Sequence, residues 1–441
     1  MAKPLQTHPL AYVMERNGWS HSDLAMAIQR EAASDHVNMG AARGKVWKWM
    51  NGTTPDRVTQ LLLARRLGIP AIEVDRRPWP LWLPAYAGIQ AGYSQDHHGI
   101  LAAVTDLGEE LAMDRRGFLL LTGAGLATLA AQDVWPVEVP EPVKLGVRVD
   151  SELLTDIAAG IPRLRRIEAK LGGGGVRPLV DAELRTVVGL LRDGTYTTSG
   201  ARRLYGVAAE LARVAGWAAF DDEYHAAAQR YWSLGLYAAR GAGDRLVAAN
   251  ILKSMSLQCL DFGNADDALE VADATQSSLR STSPRVATMF ALRKARALAA
   301  KGDRTGCMQL LASTDADKAD PHDADPDWIG YFDQAEYLAQ VGSCYLDLGQ
   351  SDRAEPWLTQ ALELMPLNKA RDRVTYLLRL AECRVSAGDY SQAVTVVLQA
   401  APLMHDARSG RNSARLSRLR GMLSHTRHPA ALDLGERLAS A

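Results

Sequence analysis

The stretch LAQVGSCYLDLGQSDRAEPWLTQALELMP, residues 338–366, decides how the rest of the chain is read. Val341, Gly342 and Tyr345 share one helical face, Gly349 interrupts, and Ala354, Leu358 and Ala361 form a second face before Pro366 ends it. Small residues let two helices approach closely, and a glycine between them supplies the backbone freedom to reverse direction. The next segment repeats the order with Leu377, Leu380, Ala381, Gly388, Tyr390, Ala393, Val397 and Ala400. Looser copies turn around Gly302, with Ala295, Leu298, Cys307 and Leu311, and around Gly263, with Leu252, Met255, Cys259, Ala268 and Ala272. Another begins at RLYGVAAELARVAGW (203–217), so the expected turn glycines are Gly216, Gly263, Gly302, Gly349 and Gly388, at intervals of 47, 39, 47 and 39 residues.

Eight positions agreeing in register over 338–366 make this segment resemble the tetratricopeptide repeat. Its intervals exceed the usual period of about 34 residues, so some helices or loops are expected to be lengthened. The resemblance implies an α-solenoid over 151–441, whose concave inner surface is lined by the first helix of each pair and takes a peptide or partner segment. In that register the inward candidates are Arg203, Glu210, Asn250, Lys253, Arg296, Glu336 and Glu382. Asn250 stands out because a carboxamide donates and accepts at once. The bland alternative for each is an ordinary solvated helix position.

Composition agrees with an all-α protein. Only five Phe occur, against an abundance of Ala, Leu and Arg, and a sheet protein would be richer in aromatic and β-branched residues. The formal net charge of −1 excludes a bulk basic field, but residues 1–80 carry eleven Lys or Arg against seven Asp or Glu. Cys259, Cys307, Cys344 and Cys383 lack the short spacings of a zinc or redox site and read as buried apolar residues; no metal and no cofactor is expected. The opening MAKPLQTHPL has no apolar signal segment, so a cytoplasmic, nucleoid-associated protein is expected.

The head spans 1–90. Leu10, Val13 and Met14 mark a first short helix, Ser20 and Asp23 form a capping box, and Leu24, Ala25 and Ile28 continue as the apolar face of a second. After Glu31 comes a polar stretch, then ARGKVWKWMNG, in which Val46, Trp49 and Met50 share a face and Arg43, Lys45, Trp47 and Lys48 lie on the other. Cations on an exposed helix suit phosphates and guanine edges in a major groove, although any solvated helix face also carries charges. Trp47 is expected to pack under the preceding turn. Thr54 is the expected cap of the next helix, with Pro55 at its first position, Val58, Leu61, Leu62 and Leu67 as its core face and Gly68 closing it.

The segment from about 10 to 72, ending W-M-N-G-T-T-P and L-G-I-P, resembles the Cro and phage-repressor class of helix-turn-helix domains. It departs from that class in one respect, since the connection before the third helix is about ten residues longer than a tight turn of roughly 3–4 residues. The resemblance implies double-stranded DNA as a partner, with Arg43, Lys45 and Lys48 at bases and Asn51, Thr53 and Arg57 near phosphates.

The joint spans 91–150. Before it, RRPWPLWLPAYAG (76–88) is too rich in Pro to continue a helix, and its Trp rings are expected to pin the head to the segment behind it. Arg115-Arg116 ahead of an apolar run to Ala131 looks like a twin-arginine export signal, but its internal position and its length, short of the ~20 residues a span needs, favour a buried helix. GGGG (172–175) and DADKADPHDADPD (315–327) read as loops, since no Gly-Lys-Ser/Thr follows the glycines. Asp96-His97-His98 reads as a surface loop, and no nucleophile or nucleotide motif suggests an enzyme.

Together with the segments 79–85, 115–119, 254–259 and 327–333, these features resemble actinobacterial helix-turn-helix regulators with a tetratricopeptide C-terminal half. Among those the chain looks most like negative regulators of differentiation and antibiotic production in Streptomyces. The resemblance implies a homodimeric transcriptional regulator whose body binds a peptide, small signal or protein partner. A protein-interaction scaffold without sequence-specific DNA binding is the alternative.

Overall fold

The computed structural model describes residues 10, 13–14, 19–34, 43–50, 53–67, 74, 79–80, 83, 97–109, 146–279, 282–426, 428–432 and 434. Every named element among them is helical, and the one β-type contact is an isolated bridge between Arg148 and Thr195. Their apolar side chains form two separate buried clusters, one drawn from residues 10–83 and one from residues 100–434. No helix among the described residues is long and apolar enough to cross a membrane. Arg115 to Ala131, Asn51 and Gly68 lie outside the described residues.

The smaller cluster is assembled as the apolar spacing requires. Leu10, Val13 and Met14 are helical and buried, and Ser20 and Asp23 cap α1 (His21–Ser34) reciprocally, with N to O distances of 2.8 and 3.2 Å. Leu24, Ala25 and Ile28 face inward as expected. The helix runs three residues past Glu31, leaving eight residues before α2 (Arg43–Met50). The cap of α3 (Arg57–Arg66) is Asp56, not Thr54. Asp56 accepts from the Thr59 N–H at 2.9 Å, so Pro55 precedes the helix. This moves the apolar stripe by one residue, burying Thr59, Leu62, Leu63 and Leu67 and leaving Val58 48% exposed. Trp79 and Leu83 pack on this same head core.

The larger cluster starts before residue 151. His97–Glu109, expected within the linker, forms α4, and its Ile100, Ala103, Val104 and Leu107 are buried against α5 (Ser151–Asp193) and α7 (His225–Ala242). His97 is therefore no surface-loop residue. It is buried at the start of α4, with its ring edge-on to Tyr205 at 5.9 Å between centroids. The glycine tetrad 172–175 is likewise no loop. It lies within α5, which kinks at Gly172, where φ is +73°.

Six helix pairs come after α5: α6 (Thr198–Asp221) with α7, α8 (Arg245–Asp261) with α9 (Ala265–Ser278), α10 (Pro284–Lys301) with α11 (Arg304–Ala312), α12 (Gln334–Asp347) with α13 (Ser351–Leu364), α14 (Ala370–Ser386) with α15 (Tyr390–Asp406), and α16 (Gly410–Thr426) with α17 (Pro429–Leu432). Four of the five expected turn glycines, Gly263, Gly302, Gly349 and Gly388, adopt φ of 69° to 83° between paired helices. Three are followed by a cap: Asn264, Asp303 and Asp389 accept from the N–H three residues on. Gly216 is not a turn residue. It sits inside α6, where a Cβ would lie 2.3 Å from the Trp232 ring, and the reversal falls instead at Glu223, whose φ is 65°. The long interval from Gly302 to Gly349 holds the acidic stretch, folded into short 3-10 turns over Ala316–Ala319 and Asp327–Tyr331. Asp325 ties it down by accepting from Arg285 at 3.1 Å and from Ser283.

The last pairs return to the first. Gly172 and Gly173 have no side chains because Arg408 O and Ala218 O occupy that space, 2.1 and 1.9 Å from where each Cβ would be. Arg371 on α14 pairs with Glu168 on α5, Ser409 donates to Asp221 on α6 at 2.9 Å, and Arg411 on α16 reaches Asp261 on α8 at 2.8 Å. Arg371 is an always-charged group whose shortest ion pair is with Glu168, with Asp221 at 3.7 Å and Asp372 at 3.9 Å beside it, so removing Glu168 would take away its main partner and weaken the closure.

Candidate functional site

Closure of the body leaves a cavity of about 710 Å³ at its centre, within the range of small-molecule sites. Its walls come from α5, α6 and the first helix of each later pair. On several of these the lining keeps to one helical stripe: 162, 165, 166 and 169 on α5; 250, 253, 254 and 257 on α8; 289, 292, 293 and 296 on α10; 372, 375, 376 and 379 on α14. Arg166, Asp327 and Asn368 line it and are exposed, marking where it meets solvent. Val214, Trp217, Leu257, Met289, Leu292 and Phe332 give it an apolar floor.

Most charges around it are neutralised within the protein. Asp347 accepts from Arg296 at 2.9 Å and from Arg379 at 3.2 Å. Burial pushes its carboxyl up, but the two guanidinium groups more than offset this and hold it below the usual range. Glu210 holds Arg165 and Arg213 in the same way. Glu336 accepts from Tyr376 at 2.8 Å and Gln340 at 2.7 Å, and burial, reinforced by Asp372, raises its carboxyl to about 7. Lys253 and Arg293 differ from the other cations. Among the described residues Lys253 bonds the Tyr331 hydroxyl and Met289 Sδ and no carboxylate, and burial followed by the nearby Arg293 charge pushes its ammonium well below the usual range. Arg293 is 8% exposed, its Nε and Nη1 have no hydrogen-bond partner among the described residues, and burial followed by Arg296 lowers it to about 10.

Of the seven inward candidates, Asn250, Lys253, Arg296 and Glu336 line the cavity. Glu210 and Glu382 stand one layer behind, holding Arg165 and Arg213 in one case and Arg415 in the other. Arg203 lies elsewhere, donating to Ser151 and Thr155 at the start of α5. Sequence reasoning missed Arg293, Arg371 and Trp217. The signal for Arg293 was available, since it lies three residues before Arg296 on the same stripe. Nothing local in the sequence marks Arg371, whose partner is 203 residues away.

In the head, α2 turns Val46 and Trp49 inward and leaves Lys45 and Lys48 exposed. Arg43 begins the helix, while Thr53 and Arg57 are exposed on either side of the α3 cap. Trp47, expected to pack, stands 58% exposed on the same side as the lysines. All four cysteines are buried and free, and the described residues contain no metal-binding cluster.

A family described as the SP15 N-terminal domain matches residues 10–70, the stretch that holds most of the smaller core. No curated protein and no solved structure matches the chain.

Proposed function

We propose that the chain is a DNA-binding transcriptional regulator: a helix-turn-helix head, a tetratricopeptide-type solenoid body, and an effector cavity inside that body. The observation that carries the reading is the two-sidedness of α2, with Val46 and Trp49 sealed into the head core and Lys45 and Lys48 facing out. That is how a recognition helix must be held to enter a major groove. The reciprocal Ser20–Asp23 cap and the Asp56 cap fix the flanking helices, so the cationic face is presented by a rigid support. A homodimer reading a two-fold operator is expected from the symmetry of such regulators.

Replacing Lys45 and Lys48 together by Ala tests this. Binding to a duplex is expected to weaken, and the slope of log affinity against log salt to fall by about 2 if each lysine neutralises one phosphate. An unchanged slope sinks the assignment. Trp47 favours a second reading, since an exposed indole between two lysines also suits a protein partner. Copurification of a protein with the chain, lost in a Trp47→Ala variant that binds no DNA either way, would favour the scaffold.

A further inference from the structure

Lys253 on α8 and Arg293 on α10 are buried cations on neighbouring inner helices, close enough for the guanidinium to depress the proton affinity of the amine. Among the described residues neither has a carboxylate within ion-pair distance, although almost every other buried cation around the cavity has one. Asn250, one turn before Lys253 and 1% exposed, has an amide nitrogen without a partner among those residues. Burying an unpaired guanidinium costs far more than leaving it in water, and packing alone would be served better by an apolar side chain. Both cations line the cavity, with Trp217, Leu257, Leu292 and Phe332 on its walls.

We infer that the cavity is a binding site for a small organic anion, with Arg293 and Lys253 as counter-ions to its head, Asn250 as a hydrogen-bond donor, and the apolar walls holding its body. This deepens the effector part of the proposed function by giving the effector's chemical class. An extended peptide fits less well, because the Arg371–Glu168, Ser409–Asp221 and Arg411–Asp261 contacts close the inner surface that an open solenoid would offer. The guanidinium supplies a planar pair of donors suited to a carboxylate, sulfonate or phosphate.

Two fluorescent probes of nearly the same size and shape separate charge from apolar fit: anilinonaphthalene sulfonate, which carries an anion, and N-phenyl-naphthylamine, which carries none. Titrated into the full chain, the sulfonate is expected to bind at one saturable site and more tightly than the neutral probe. Arg293→Met is expected to weaken the sulfonate about tenfold or more while leaving the neutral probe nearly unchanged, and Arg293→Lys to recover part of the loss. The neutral probe reports that the cavity is intact, so a misfolded variant would be recognised by loss of both. Removal of an unpaired buried charge is further expected to raise the melting temperature of Arg293→Met. Sulfonate affinity that is equal in wild type and Arg293→Met, or absent from wild type, would overturn the inference. Neither result depends on DNA, so failure here leaves the regulator reading standing, and loss of DNA binding leaves the anion site standing.

Discussion

Glu336 illustrates how much a single wall residue is asked to do. Burial and the neighbouring Asp372 carboxyl raise its proton affinity, Gln340, Tyr376 and Lys369 oppose them, and the balance lies near 7. Its charge in turn favours the protonated forms of Lys253 and Arg293, against the burial that lowers both. Because its folded value lies above the 4.5 of the unfolded chain, the folded state binds the extra proton between those limits. The stability Glu336 contributes is therefore full below about 4.5 and is lost as pH rises towards 7, by up to about 3 kcal/mol. Glu336→Gln, which mimics the protonated form, is expected to flatten the fall in melting temperature between about pH 5 and 7 relative to wild type. Parallel curves for the two proteins would show that the carboxyl titrates elsewhere. Asn250, Lys253, Arg296 and Glu336 were legible in the sequence because repeat register assigns a face. Arg203 was misassigned by the same rule: it lies near the start of α6 and donates to Ser151 and Thr155 on α5, whereas α6 meets the cavity further along, at Arg213, Val214, Trp217 and Asp221.

At the scale of elements, the sequence announces caps, turns and stripes better than it announces kinks. Gly263, Gly302, Gly349 and Gly388 were readable because each lies between two apolar faces and takes a left-handed backbone. Gly216 and the tetrad 172–175 were not. There glycine serves close approach, against the Trp232 ring in one case and against the backbone at Ala218 and Arg408 in the other, and only the tertiary neighbour shows why. The two uses are separable by mutation. Gly173→Ala is expected to destabilise the body by about 2 kcal/mol or more, because its Cβ would meet a backbone oxygen that cannot swing away. Gly189→Ala, later in α5 with nothing within 4 Å of its new Cβ, is expected to stabilise by roughly 0.5–1 kcal/mol through helix propensity. Thermal or denaturant unfolding of both checks the contrast, and a Gly173→Ala protein as stable as wild type would refute the account of closure. In the head, one misplaced cap shifted a whole stripe: taking Thr54 for Asp56 predicted a buried Val58, which stands in solvent.

For the molecule as a whole, helix content and the presence of two cores were legible from periodicity and composition. Closure of the body was not, because it depends on contacts between residues as distant as Glu168 and Arg371 and Asp221 and Ser409. That closure converts an expected open groove into a cavity, and so, under the proposed function, favours a compact effector over an extended one. The proposal that joins head to body is regulation: occupancy of the cavity, acting through the packing of the inner helices, would alter how two heads are presented to one operator. It requires first that the head reads DNA. Selection from random duplexes by the purified full-length chain tests this most directly. The account predicts enrichment of an inverted repeat with half-sites about one helical turn apart, lost when Lys45 and Lys48 are replaced by Ala. No enrichment of any sequence, with or without a saturating anion probe in the cavity, would contradict it.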